Sequence, residues 1–399
     1  MIFGLAILCS NITVKAQVPQ ADFKSIVYYD VWSYDAYPPF RMQYNGIKQL
    51  VIFGGATTGI TPSTTSPYFP ARDYTSFAYR STFHGDGWAN MSKYFPGTTK
   101  TWMQLIRDSC NAHGIDLYLD LGGEYGASAT AFNSLISDRT KWTAYINAVS
   151  DVCQSNPDGV HFDGISFDIE WLGNSVQSRQ DFTDFVAAFK AKLNTWPKPG
   201  KIGAATAMWF LWSNNPSTPY ITPATVNAYF DWLFIMGYNT FNSSKLGFEA
   251  QVYQNPAITG VEVWNDRATT QYTANGVNPK IVVLGTSGEV LKQTITGSAV
   301  PGGPATGSTT ASGSGPVVNQ IFNTAVLDPI SKSSYAISGS TWYSFETLAS
   351  TNEKIKISQS YGLGGIGYYS TFASSDGNGA TSVNKTLNAY QNAIAAVIG

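Results

Sequence analysis

The feature that most constrains this chain is a rhythm, in which a short apolar segment is followed by an amphipathic stretch and the pair repeats from end to end. Apolar segments with strand character fall at Ser25 to Val31, Lys48 to Phe53, Ile115 to Leu121, Gly164 to Glu170, Ile202 to Met208, Trp232 to Tyr238, Lys280 to Gly285 and Gly364 to Tyr369. Between them the apolar period changes to that of a helix. Over Arg139 to Ser155 it is carried by Trp142, Tyr145, Ile146, Val149, Val152 and Cys153, and over Ser178 to Asn194 by Phe182, Phe185, Val186, Phe189 and Leu193. Strands that alternate with helices must run parallel, each helix covering the sheet with its apolar face. Eight such units predict an α/β fold, a (β/α)8 TIM barrel with its helices outside.

Two segments interrupt the rhythm. Residues 56–97 are rich in Thr, Ser and Pro and carry Tyr68, Phe69, Tyr74, Tyr79 and Trp88; this length and ring content predict a substrate-facing excursion on the upper rim. An insertion after the seventh strand, over about residues 289–341, contains Gly297 to Gly315, whose Gly, Ser, Thr and Pro composition predicts a flexible loop and a shallow groove, which leans toward endo cleavage. A helix around Lys385 to Val397 closes the pattern. At the other end, the apolar run Ile2 to Leu8, with Val14 and Ala16 just before Gln17, predicts a cleaved leader over 1–16, export, and a single domain over 17–399. No later stretch is long and apolar enough to span a bilayer. Loss of the leader removes Cys9, leaving Cys110 and Cys153 as a disulfide between neighbouring helices or as two buried thiols.

Composition bears on the partner. Charged residues are 13% of the chain, where about 25% is usual, whereas aromatic residues are 14%. A net charge of -2 offers no basic field for a phosphate backbone, so nucleic acid is excluded and a neutral, ring-stacking substrate fits better. His84, His113 and His161 are the only histidines and none sits at metal-ligand spacing, so no metal is expected. The glycine runs at Gly85 to Gly87 and Gly285 to Glu289 are too short for phosphate loops, and no cofactor is expected.

The chemistry is concentrated in Asp163 to Trp171, DGISFDIEW. Alternation sends Ile165, Phe167, Ile169 and Trp171 to one side and Gly164, Ser166, Asp168 and Glu170 to the other. In a barrel strand the apolar set faces the helices, so the polar column points inward with its acids rising toward the C-terminal rim, where such barrels place their active sites. Residues two apart on a strand are separated by about 6.6 Å, near enough for the charges of Asp168 and Glu170 to couple. One proton shared between them keeps Glu170 protonated, as a general acid requires.

This segment resembles the DxxDxDxE strand of glycoside hydrolase family 18, the chitinase family, with Asp163, Asp168 and Glu170 on matching positions and Ser166 where the family has its second acid. Tyr28 and Tyr29 resemble the family's paired tyrosines of the first strand, and Met236, Tyr238 and Asn239 its sixth-strand MxYD or MxYN motif. Trp342 to Ser370 resembles the run into its eighth strand, a serine-aromatic-acid step, a Lys-bearing helix and GLGG. The resemblance implies retaining, substrate-assisted hydrolysis: Glu170 protonates the glycosidic oxygen while the substrate's own acetamido carbonyl attacks the anomeric carbon. It further implies that Asp168 holds the acetamido N–H, that Tyr238 donates its hydroxyl to the acetamido oxygen, and that Asn239 contacts the same group or the sugar. The family's sugar-stacking tryptophan is Tyr369 here, and Trp209 is either a second wall or a core residue.

Where the family's third strand ends in SxGG, this chain has Asp120, Leu121, Gly122, Gly123, as though serine and acid had exchanged strands. Neighbouring strands lie about 4.8 Å apart. Asp120 is therefore expected buried beside Asp168 and hydrogen-bonded, or nearly so, to Ser166. The activity implied is a secreted, monomeric chitinase acting on N-acetylglucosamine polymers. An endo-β-N-acetylglucosaminidase of N-glycans and a non-catalytic carbohydrate-binding barrel are the alternatives.

Overall fold

The structure, a computed structural model, describes residues 22–30, 42–53, 94–95, 97–122, 126–156, 158–169, 176–208, 221–261, 263–312, 320–371 and 385–398. The expected leader, nearly all of the 56–97 excursion with its five rings, and Trp171 lie outside the described residues.

The strands are β1 (Lys24–Asp30), β2 (Gln49–Phe53), β3 (Asp116–Gly122), β4 (Gly164–Ile169), β5 (Lys201–Ala207), β6 (Trp232–Met236), β7 (Val282–Ser287), β8 (Glu289–Ile295), β9 (Ala305–Ser312), β10 (Val326–Leu327), β11 (Ser334–Ser338), β12 (Thr341–Ser344) and β13 (Gly365–Tyr369). Eight of them close a parallel barrel in the order β1-β13-β7-β6-β5-β4-β3-β2, and these eight are the strands expected from the sequence.

Alternation sorts each barrel strand's side chains between two cores. Outside, Ile165, Phe167 and Ile169 of β4 pack against the helices. Phe167 is ringed by Phe132, Phe182, Phe185, Phe189 and Phe230 at 5.4 to 6.5 Å between centroids. Of these, Phe182, Phe185 and Phe189 are the apolar face of helix Val176–Leu193, the stripe read from its spacing. Inside, Ile26, Tyr28, Val51, Tyr118, Ala205, Trp232 and Phe234 fill the lumen. Helix ends follow local chemistry. Thr101 forms a capping box with Gln104 at the start of helix Trp102–His113, and Gly114 ends it in the left-handed conformation at φ 65°. Cys110 and Cys153 are both buried free thiols, and burial pushes the Cys110 thiol up to about 12. Among the described residues no helix is long and apolar enough to cross a membrane.

The Gly297 to Gly315 expectation is corrected. Much of it is β9, which pairs antiparallel with β8 in a five-stranded sheet of order β10-β11-β12-β8-β9 inserted between β7 and β13. Thr306 and Thr309 suit a pleated surface, and their backbone pairs with β8, the strand immediately before them in sequence. The sheet is fastened to the segment after β6: Trp342 Nε1 donates to the Gly247 carbonyl at 2.7 Å, and Gln293 Nε2 to those of Asn242 and Lys245 at 2.9 and 2.8 Å. With a folded sheet in place of a loop, the shallow groove argued from that loop loses its basis.

One glycine is fixed by the lumen. A Cβ on Gly203 of β5 would stand 2.0 Å from ring carbons of Trp232, which is 1% exposed. Gly203→Ala is expected to lower stability by about 1–3 kcal/mol through overpacking, read as a lower midpoint in urea denaturation; an unchanged midpoint would show that the ring is not seated there.

Candidate active site

β3 and β4 lie side by side with Asp120 opposite Ser166 and Gly122 opposite Asp168. Leu119 and Leu121 face the helices while Tyr118 faces the lumen, so Asp120, two residues on from Tyr118, also points inward. Asp120 and Ser166 are fully buried and Asp168 is 7% exposed. The strands close tightly here: Gly122, at φ 122°, leaves no room for a side chain, since its Cβ would lie 2.4 Å from the Asp168 carbonyl oxygen. The exchange of serine and acid read from the sequence is thus matched by position. The Ser166 hydroxyl acts on both Asp120 and the Tyr28 hydroxyl, but no contact of these three groups reaches full hydrogen-bond geometry.

Electrostatics follow from the burial. Desolvation, then the nearby Asp168 charge, hold the Asp120 carboxyl well above the ordinary carboxylate range, against a smaller opposing pull from Ser166. Tyr28 is also raised well above its usual value by burial, with Asp120 adding to the shift. Asp120 therefore favours its neutral form.

The opposite wall is aromatic. Tyr238, 7% exposed, stacks on Tyr369 with centroids 5.7 Å apart and planes at 12°. Tyr28 and Phe53 meet the same Tyr369 ring edge-on at 5.9 and 5.6 Å. Met236 packs against this cluster, and Asn239 follows Tyr238 at φ 58°, a conformation asparagine tolerates better than most residues. Tyr28, Asp120, Ser166, Asp168, Met236, Tyr238, Asn239 and Tyr369 thus share the lumen and its rim. Glu170 and Trp209 lie outside the described residues.

Asp163 does not belong to this group. It precedes β4, at the N-terminal end of the barrel, about 16 Å along the strand from Asp168. There it accepts from the Leu117 N–H at 2.9 Å and pairs with Arg107 at 2.7 Å and Lys198 at 2.9 Å. Burial raises its pKa, but these three partners together bring the carboxyl below the ordinary range. It ties strand to helix at the bottom of the barrel, a supporting role far from the rim.

Sequence reasoning left one acid unnoticed. Glu249, fully buried in the segment after β6, accepts from the Ser287 hydroxyl at 3.3 Å, and its Oε2 has no hydrogen-bond partner. Burial, with Glu289 adding to it, pushes its pKa up to about 8, against the pull of the Asn239 N–H and Ser287. Its only signal in the sequence is a lone acid between Phe248 and Ala250. Among the described residues no three His, Cys, Asp or Glu side chains are grouped to hold a metal.

The family model for glycosyl hydrolases family 18 matches residues 24–373. The chain belongs to glycoside hydrolase family 18. A class V chitinase of Medicago truncatula is 23% identical over 277 residues, 63% of this chain and 67% of that protein. Among solved structures, a family 18 chitinase of Cycas revoluta in complex with (GlcNAc)4 superposes with a TM-score of 0.71 at 16% identity, covering 94% of this chain and 100% of that one. A chitinase-like agglutinin of Robinia pseudoacacia superposes with a TM-score of 0.68 at 16% identity, covering 92% of this chain and 99% of that one. At such identities the structures establish the barrel, as the DxxDxDxE, MxYN and GLGG resemblances implied.

Asp120 and Glu249, buried acids with raised pKa in this family 18 barrel, give a pH dependence with a definite sign. A carboxyl whose folded pKa is raised contributes most below its unfolded pKa and loses that contribution as pH rises to the folded value. For Glu249 the window runs from 4.5 to about 8. Asp120→Asn and Glu249→Gln, which imitate the neutral forms, are therefore expected to flatten the fall in melting temperature on the alkaline side, and each should gain on the wild type as pH rises from 4 toward 9. Parallel melting curves of wild type and variants across that range would refute the assignments.

Proposed function

We propose that the chain is a secreted chitinase that hydrolyses β-1,4-linked N-acetylglucosamine polymers with retention, using the substrate's acetamido group as nucleophile. The observation that carries this reading is the paired burial of Asp120 and Asp168 on adjacent strands, facing Tyr238 across the lumen. Burial and the neighbouring acid raise the pKa of Asp120, so the scheme assigns the anion to Asp168, the acid nearer the rim.

An anion there serves two ends. It accepts the acetamido N–H, aligning the carbonyl oxygen with the anomeric carbon, and it offsets the positive charge that develops on the sugar ring. Tyr238 donates its hydroxyl to the acetamido oxygen. Glu170, which follows Ile169 of β4 in sequence, protonates the leaving oxygen and later accepts a proton from the water that opens the oxazolinium ion. Family 18 is an exception to the scheme in which a second enzyme carboxylate attacks. Tyr369 offers a smaller stacking surface to the sugar than tryptophan would. No cofactor enters this scheme. The Medicago truncatula and Cycas revoluta relatives are chitinases by name, which supports the substrate class.

A carbohydrate-binding barrel without catalysis is the second reading, favoured by the likeness to the Robinia pseudoacacia agglutinin and by Ser166 in place of an acid. Turnover of chitin oligomers and of a glycoprotein by wild type, Glu170→Gln and Asp168→Asn separates the readings. A chitinase should cleave the oligomers, with kcat reduced about 10²- to 10⁴-fold in Glu170→Gln and about 10²- to 10³-fold in Asp168→Asn. Binding of oligomers without turnover by the wild type would establish the second reading, and preference for the glycoprotein would move the substrate to N-glycans.

A further inference from the structure

The turn that carries Tyr238 and Asn239 is tight, and the Asn239 N–H within it is drawn to the Glu249 carboxyl. β6 ends at Met236, the Tyr238 N–H folds back onto the Met236 carbonyl at 2.9 Å, and Asn239 sits at φ 58°. A turn of this kind is shallow in energy and needs outside support to keep one geometry. Beyond it, support is local: Thr240 N–H donates to the Glu249 carbonyl at 3.0 Å, and Gln251 N–H to the Thr240 hydroxyl at 2.7 Å. Ahead of it, support comes from outside the barrel. The Gly237 carbonyl accepts from Asn265 Nδ2 at 3.0 Å and from Lys354 Nζ at 3.2 Å.

Lys354 stands on helix Leu348–Ser360, and its side chain is 0% exposed. Three acceptors surround its ammonium: the Gly237 carbonyl, the Gly285 carbonyl of β7 at 3.0 Å, and the Glu346 carboxylate in direct ion pair. The other Glu346 oxygen accepts from Ser350 Oγ at 2.7 Å. Burial lowers the Lys354 pKa, and the carboxyls of Glu346 and Glu249 oppose that shift. Packing alone gives no reason for an ammonium in this place, because a methionine would fill the same path without desolvating a charge. What a methionine lacks is the means to hold two carbonyls of neighbouring strands at once. Both carbonyls lie at the C-terminal ends of β6 and β7, one peptide from Tyr238 and two residues from Ser287, which donates to Glu249.

We propose that Lys354 is a positioning residue, which pins the Gly237 peptide to β7 from behind the barrel wall, with Glu346 as its counter-charge, and so fixes where Tyr238 presents its hydroxyl. The proposal rests on the reading of Tyr238 as the group that meets the acetamido oxygen. The Lys354→Met and Glu346→Gln/Lys354→Met variants test it, read by melting temperature, by hydrogen exchange of the Gly237 to Thr240 amides, and by kcat and KM on chitin oligomers. The single variant leaves Glu346 buried without its cation and should melt well below the wild type. The double variant removes both charges and should recover to within about 3 °C of the wild type. In the double variant the turn amides should still exchange about tenfold faster, and kcat should stay about tenfold lower with KM within roughly twofold.

Wild-type exchange and kcat in the double variant would overturn the proposal and leave Lys354 a structural ion-pair member. A wild type that neither cleaves nor binds the oligomers defeats the functional reading alone, since exchange in the turn still decides whether Lys354 clamps it.

Discussion

The barrel is closed around two carboxyl groups that water scarcely reaches. Asp120 and Asp168 sit on adjacent strands, and the Ser166 hydroxyl opposes part of the shift that burial and the Asp168 charge impose on Asp120. Placing both charges there would cost several kcal/mol. The fold therefore favours the neutral form of the deeper acid, Asp120. The rings of Tyr28, Phe53, Phe234, Tyr238 and Tyr369 surround these groups and keep the local dielectric low, which strengthens charge interactions in the lumen.

The same strands that aim polar groups inward hold the helices in place outward. β4 shows this most directly, since Phe167 anchors a ring of five phenylalanines while Ser166 and Asp168, one position either side of it, line the lumen. Geometry inside is thereby tied to packing outside. Lys354 extends the logic from side chains to backbone, because a helix on the outer layer reaches through to carbonyls at the rim.

Most of the barrel was legible because its strands are short apolar or alternating segments separated by stretches of helical period. Boundaries moved for local reasons: the sixth strand stops at Met236 rather than Tyr238 because the chain turns back on itself there, and the seventh begins at Val282 because Pro279–Ile281 forms a short 3-10 turn capped by Asn278. β9 was misread because its Gly, Ser and Thr content resembles a linker, and what makes it a strand is antiparallel pairing with β8, the strand just before it. Within the site, Asp120 was legible as an exchange across neighbouring strands. Asp163 was grouped with the other acids by motif, although a five-residue separation along a strand takes it to the opposite end of the barrel. Glu249 could not be found, because an acid in an irregular segment acquires its meaning only from what surrounds it.

Barrel closure joins Lys24 of β1 to Gly365 of β13, so the final seam pairs residues separated by most of the chain. During synthesis the first strand emerges well before its partner, with the inserted sheet still to be made between β7 and β13. Until then β1 has one edge with unmet backbone donors and acceptors. Closure of the barrel therefore waits for its eighth strand, and the exposed edge of β1 is protected only once β13 is in place.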